Sequence, residues 1–213
     1  MDSKPKFFQK HPLMKDVLSL VVFVVCVVIG TLVLNAFVFR SYNVVGSSME
    51  NTLQNDDRVI VNRMPVTWAH FLGQEYVPKR GQIIVFANGD ASGPLTCGAP
   101  AGQVDQYIIK RVIAFPGERV TVKDGVLTVY NDEHPDGYSP DDETRVDENN
   151  GPKEYSSGDV DVVVPAGEIF VAGDNREGSH SFDSRSGLGT IPDCRIIGPA
   201  VLRIYPFSGI RVF

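Results

Sequence analysis

Between Val17 and Phe39 the chain runs VLSLVVFVVCVVIGTLVLNAFVF, 23 residues without one charged side chain. Only Ser19, Gly30, Thr31 and Asn35 interrupt it, leaving 19 of the 23 apolar. A helix rising about 1.5 Å per residue would make this segment about 35 Å long, enough to cross a hydrocarbon layer of about 30 Å with some tilt. Buried helices of that length carry a polar face, and this one has none. A membrane span over residues 17–39 is therefore expected.

Its flanks give a direction. Lys4, Lys6, Lys10 and Lys15 precede it against Asp2 and Asp16, whereas Arg40 is followed by no base until Arg58. The bias of basic residues toward the inner side predicts a single pass through the cell membrane. Residues 1–16 form a cytoplasmic tail and residues 40–213 an extracytoplasmic domain. A cleavable secretory leader would carry an apolar region of only about 7–15 residues, ending in small side chains. Here the run is longer and closes on Asn35-Ala36-Phe37-Val38-Phe39, so an uncleaved anchor is expected.

Charge is just as unevenly spread. The 213 residues carry a net charge of −6, which gives no basic footprint for a nucleic-acid partner. Residues 132–161 hold eleven acids against Arg145 and Lys153, a net of −9, so the rest of the chain is +3. This stretch, about 131–161, is rich in Gly, Pro, Asn and Ser and reads as a solvated polar insertion. It has no spaced Asp-x-Asp-x-Asp-Gly loop with a distal Glu, so a calcium site is not expected there.

Beyond the span the chain is mainly β. Short β-branched runs bounded by Gly or Pro predict strands over Arg58–Arg63, Gln82–Ala87, Tyr107–Phe115, Arg119–Lys123, Val126–Tyr130, Val160–Val164, Glu168–Ala172 and Ile196–Ile204. Lys123-Asp124-Gly125-Val126 is a hairpin signal. Met64–Gly73 alone has a short helical reading. The fold expected is a β-domain of antiparallel sheets on one N-terminal transmembrane helix.

Familiar catalytic signatures fail. There is no phosphate-binding Gly-x-x-x-x-Gly-Lys-Ser/Thr loop, no His-Glu-x-x-His and no Cys-x-x-Cys, and no metal or cofactor is expected. His11, His70, His134 and His180 are scattered, and His180, between Ser179 and Ser181, reads as a loop histidine. Cys26 lies in the span, while Cys97 and Cys194, both outside, are candidates for a disulfide.

Three ordered stretches remain. The first is Val45-Gly46-Ser47-Ser48-Met49-Glu50-Asn51-Thr52-Leu53. The second is Tyr107-Ile108-Ile109-Lys110-Arg111-Val112-Ile113-Ala114-Phe115-Pro116-Gly117-Glu118. The third is Gly173-Asp174-Asn175-Arg176 followed by Asp183-Ser184-Arg185. In that order behind an N-terminal span, they resemble type I signal peptidase in the short form of Gram-positive bacteria. Arg80-Gly81-Gln82-Ile83-Ile84-Val85-Phe86 and Arg203-Ile204-Tyr205-Pro206-Phe207-Ser208 extend the likeness. The acidic insertion lies outside it.

The resemblance implies a membrane-bound serine endopeptidase that removes signal peptides from exported preproteins through a Ser–Lys dyad. Ser48 is the implied nucleophile and Lys110 its base. Ser179 matches the serine that orients the lysine, with Ser181 as the alternative because the gap to Asp183 is two residues longer than usual. Asp183 and Arg185 match bracing residues, and Arg111 is a candidate partner for Asp183. Met49, Gly46 and Asp174 are candidate substrate contacts. Gly46 stands where some relatives carry a second oxyanion-stabilising hydroxyl, and Asn51 replaces the usual proline. The implied partners are signal peptides, the lipid bilayer and the secretion translocon. A specialised peptidase for clients such as pilus subunits and an inactive anchored β-domain are the competing readings.

One argument stands apart from the resemblance. A lysine acts as a base near neutral pH only if its pKa falls from about 10.4, and burial among apolar groups achieves that. On a strand, Lys110 shares its face with Ile108 and Val112, and Arg111 points the other way. Ser48 lies nine residues past Phe39, so a fully extended linker would hold it within about 30–32 Å of the span's end.

Overall fold

A computed structural model describes residues 12–88, 106–140 and 155–213. Most of the expected cytoplasmic tail, Cys97 and residues 141–154 of the acidic stretch lie outside the described residues.

The apolar run is helical. Helix α1 (Pro12–Val33) continues without a break into a π-helical turn, Leu34–Val38. Asp16–Val38 is long and apolar enough to cross a membrane, and the protein buries none of it. Strand β1 (Phe39–Asn43) starts at the next residue, where the sequence reading had only a linker. No turn residue announces this change, because β1 takes its hydrogen bonds from a distant strand, β2 (Arg58–Asn62), with Phe39 opposite Asn62 and Asn43 opposite Arg58.

The remaining elements are α2 (Met64–Phe71), β3 (Ile83–Asn88), β4 (Gln106–Ala114), β5 (Arg119–Lys123), β6 (Val126–Tyr130), β7 (Val160–Val163), β8 (Glu168–Ala172), β9 (Ile191–Pro192), β10 (Ile196–Tyr205) and β11 (Arg211–Val212). All eight predicted strands and the short helix form, with ends shifted by at most two residues. The two-residue strands β9 and β11 are too short to leave a periodic signal. Asp124 and Gly125 both take positive φ, 50° and 81°, the backbone of a type I′ turn joining β5 to β6.

Every pairing among the described residues is antiparallel. One sheet runs β1-β2-β10-β3-β4-β8-β9 with β11 on β10, and a three-stranded sheet runs β6-β5-β7. The long strand β10 stitches the large sheet, pairing with β3 through its first half and β2 through its second. It changes partner around Gly198, where a Cβ would stand 2.2 Å from the carbonyl oxygen of Asn62. Only glycine allows the strands to approach so closely there.

Three apolar clusters fill the space between these layers. One joins the small sheet to β4 and β8 through Ile113, Val120, Leu127 and Phe170. A second collects Ile84, Phe86, Val112 and Val171. The third holds Val44, Met49, Leu53, Val59 and Ile83, beneath the loop that follows β1.

The ends of the acidic stretch are built into the domain. Tyr138 bridges to Val129, the buried Ser156 donates its amide to Gly125 O at 2.9 Å, and Asp161 sits in β7 with its carboxylate on Arg119 at 2.6–2.7 Å.

Candidate active site

Two elements present the chemistry. The loop after β1 carries Ser48. Below it, Met49 and Leu53 are fully buried, and the amide of Leu53 donates to Met49 O at 2.7 Å. This apolar pair seats the loop on the sheet, so Ser48 is fixed by packing as well as by its own bonds. Asn51 has φ +79°, a left-handed conformation that asparagine tolerates and proline cannot adopt. The departure from the family pattern at this position thus matches the backbone found there.

Strand β4 carries Lys110. It lies between β3 and β8, so its side chains have sheet on both flanks, and Lys110 is only 3% exposed. Ile84 stands opposite Lys110 across the ladder. Ile84, Val112 and Ile108 all belong to or pack on the same apolar cluster, the face that strand alternation predicts for Lys110. The amine closes on the loop: Lys110 Nζ is 2.6 Å from Ser48 Oγ, and it donates to Ile109 O at 3.0 Å.

Burial lowers the Lys110 pKa to about 8, with the Arg185 cation assisting and the Asp183 and Asp174 carboxylates opposing. Desolvation wins because both carboxylates are already committed to other cations. Arg111, next in sequence but facing away from Lys110, forms a two-pronged ion pair with Asp174, Nε to Oδ1 at 2.7 Å and Nη2 to Oδ2 at 2.6 Å. Asp183 takes Arg185 Nη2 at 2.8 Å and Nε at 3.1 Å. Burial would raise each carboxyl, but the guanidinium against it overcomes this and holds it below the usual carboxylate range.

The expected pairing of Arg111 with Asp183 is thereby corrected. Arg111 belongs to Asp174, and Arg185, two residues from Asp183 in sequence, belongs to Asp183. The substrate contacts expected of Met49 and Asp174 are not seen in the cleft: Met49 is core, and Asp174 is buried against Arg111.

The two candidate orienting serines separate clearly. Ser179 is exposed. Ser181 is buried and donates to Asp183 Oδ2 at 2.5 Å. It also fits against Gly173, where a Cβ would come 2.2 Å from Ser181 Oγ and 2.3 Å from Ser48 O. Ser181, Gly173 and Ser48 are thus in mutual contact, and the two extra residues before Asp183 carry Ser179 out of it.

The turn Gly173–Arg176 clamps the loop from the other side. Asn175 donates its amide to Ser48 O at 3.1 Å and its side chain to Ser47 O at 3.2 Å. Arg176 is fully buried, with Nε on Gly173 O at 2.6 Å. Sequence reasoning assigned no role to Asn175 or Arg176; their place in the third motif was the available signal. The amide of Gly46 is taken by Asn55 Oδ1 at 2.8 Å. Gly46 therefore offers neither a hydroxyl nor its own N–H as an oxyanion donor.

Ser48 and Lys110 open on a cleft of about 590 Å³. Its walls come from Tyr42–Ser48 and from Gln106–Ile109, with Val44, Val45, Ile108 and Ile109 giving an apolar lining. Gly46 lies on this wall, and His180 and Phe182 close one part of it. His180 is exposed and makes no serine–histidine pair. The arrangement supplies a half-buried hydroxyl, an amine that burial makes far easier to deprotonate than an ordinary lysine, and an extended trough. No group of three or more His, Cys, Asp or Glu among the described residues could hold a metal ion. Cys194 is disulfide-bonded, and its expected partner Cys97 lies outside the described residues.

The chain is similar in sequence to known proteins. The family model described as signal peptidase, peptidase S26, matches residues 14–205. Signal peptidase I T of Bacillus subtilis (strain 168) is 32% identical over 189 residues, covering 88% of this chain and 85% of its own. Signal peptidase I S of the same organism is 31% identical over 197 residues, 92% of this chain and 94% of its own. A crystal structure of a signal peptidase I from Enterococcus faecalis overlays 59% of this chain and 97% of its own, with a TM-score of 0.39 and 27% identity.

Proposed function

This chain belongs to the signal peptidase family, peptidase S26, and on that premise we propose a membrane-anchored serine endopeptidase that cleaves N-terminal signal peptides from preproteins, with Ser48 as nucleophile and Lys110 as general base. One observation carries the residue assignment: a serine hydroxyl and a buried lysine amine 2.6 Å apart at the floor of an apolar cleft.

The steps follow from that contact. Neutral Lys110 Nζ takes the proton of Ser48 Oγ as the oxygen attacks the carbonyl carbon of the scissile bond. The N–H of Ser48 stabilises the oxyanion that forms. The C–N bond then breaks, the Lys110 ammonium returns its proton to the departing amine, and the signal peptide remains as an ester on Ser48. Water, deprotonated by Lys110, attacks the ester, and the signal peptide leaves with a free carboxylate. Asp183, paired with Arg185 and accepting from Ser181, acts on Lys110 through its charge, while Arg111, on the same strand as Lys110, pairs with Asp174 and donates to Thr52 Oγ1 of the nucleophile loop at 3.4 Å.

The anchor fits this substrate. A preprotein's apolar segment occupies the bilayer and its cut site emerges beside it, and the chain here passes from an apolar helix directly into the strand that leads to Ser48. Single-pass placement in the cell membrane with residues 1–16 cytoplasmic rests on the basic residues before the span. Lipid and the translocon are its neighbours in this reading.

Ser48→Ala and Lys110→Ala, each assayed on a membrane-inserted preprotein, test the dyad. Each is expected to lose at least about 10⁴-fold in cleavage rate. Full cleavage by either variant overturns the assignment.

A further inference from the structure

Helix α2 presents an apolar face that no part of the described protein covers. Met64, Trp68, Phe71 and Leu72 recur at the spacing of one helix face, and all are exposed, Trp68 at 65% and Phe71 at 80%. Trp68 and Phe71 stack with ring centroids 5.9 Å apart, while Val66 packs inward on the central cluster. Met64–Phe71 contains no Asp, Glu, Lys or Arg. Scattered exposed apolar side chains are ordinary on proteins, but a contiguous face marks an interaction surface.

Position says what meets it. Three of the last carbonyls of the apolar helix, groups that a helix end leaves unsatisfied, are capped by α2 and its preceding residue. Thr67 Oγ1 donates to Phe37 O at 3.1 Å, the Arg63 amide to Val38 O at 2.7 Å, and the Arg63 guanidinium to Ala36 O. α2 is therefore fastened to the end of the span, at the level where the span leaves the apolar layer. Tryptophan and phenylalanine on a charge-free helix face are suited to that depth.

We propose that α2 lies in the interfacial layer of the bilayer on the catalytic-domain side, with Trp68 and Phe71 among the lipids. With the span, it forms a two-point attachment that fixes how the domain sits over the membrane. A lone span leaves the domain free to swing, whereas a second contact 26 or more residues further along the chain restrains its tilt and so the orientation of the cleft. This rests on the membrane-anchored reading given above.

Trp68 is the single tryptophan of the chain, which makes the test direct. The full-length protein is reconstituted into phosphatidylcholine–phosphatidylglycerol vesicles containing lipids spin-labelled either near the headgroup or deep in the acyl chain. Trp68 emission is expected at shorter wavelength than in the unfolded chain, quenched more by the shallow label than by the deep one. Emission typical of water, quenched by iodide and by neither lipid label, overturns the proposal. So does short-wavelength emission that no lipid label quenches, because protein then covers the face. A Trp68→Phe variant carrying Phe23→Trp moves the reporter into the span. Quenching there by the deep label upholds the anchor whatever Trp68 reports, so the two readings fail separately.

Discussion

Lys110 and Arg111 are neighbours on one strand, both buried, yet they end in opposite electrostatic company. Arg111 is met by the two oxygens of Asp174 at 2.6–2.7 Å, whereas the nearest polar partners of Lys110 are the hydroxyl of Ser48 and the carbonyl of Ile109. The pleat of β4 explains the division, since successive residues face opposite ways. A buried amine whose hydrogen-bond partners are neutral gives up its proton more readily than an exposed one.

The pH dependence of cleavage should report this directly. Lys110 is active when neutral, and burial places its pKa at about 8. The rate is expected to rise with pH through an inflection near that value and to fall about tenfold per pH unit well below it. Steady-state cleavage of one precursor across about pH 5–9 would measure it. A profile flat down to about pH 5 contradicts a lysine base.

Lys110→Met should abolish cleavage and yet stabilise the fold. Below about pH 8 the native protein carries a buried ammonium that the unfolded chain would solvate, and removing it is expected to add about 1–3 kcal/mol. The sign with pH follows. The pKa of Lys110 is lower in the folded state than its ordinary 10.5, so between about pH 8 and 10.5 the unfolded chain binds the extra proton. Wild-type stability from this group therefore recovers as pH rises through that window, and the advantage of the methionine variant shrinks. Thermal unfolding in detergent at two pH values would show it. A methionine variant less stable than the parent at pH 7 would contradict the burden assigned to Lys110.

Ser181→Ala and Ser179→Ala should differ sharply. Ser181 donates to the buried Asp183 Oδ2 at 2.5 Å, beside the Gly173 amide and Arg185 Nη2, and its loss removes one hydrogen bond to a buried charge, at a cost of about 1–3 kcal/mol. The turnover number should fall as well, with the inflection near pH 8 displaced, because Asp183 acts on the charge of Lys110. Ser179→Ala, at an exposed site, should stay within about 0.5 kcal/mol of the parent with its pH profile unmoved. Equal effects from the two substitutions would return the orienting role to an open choice.

Much of this architecture is written locally and so could be read from the chain. Strands β2 to β8 and β10 announce themselves by β-branched runs between Gly and Pro, and the Asp124-Gly125 turn by its two residues. Ser48 and Lys110 stand inside ordered motifs, and the alternation of Ile108, Lys110 and Val112 predicts the apolar face that shifts the amine. What escaped is set by distance in sequence. The partner of Arg111 lies 63 residues away, and two carboxylates in the same motif are equal candidates until the β4–β8 register chooses Asp174. Ser181 displaces Ser179 because burial depends on how the loop turns. Strand β1 follows the helix without a turn signal because its bonds come from β2, and the left-handed φ of Asn51 has no counterpart in residue periodicity.

The immediate passage from helix to sheet also has a mechanical meaning. Traction on the apolar helix enters the domain through β1, whose five residues are each in register with β2. A preprotein tugged by lateral movement of the bilayer would therefore find the nucleophile, five residues beyond that strand, holding its place.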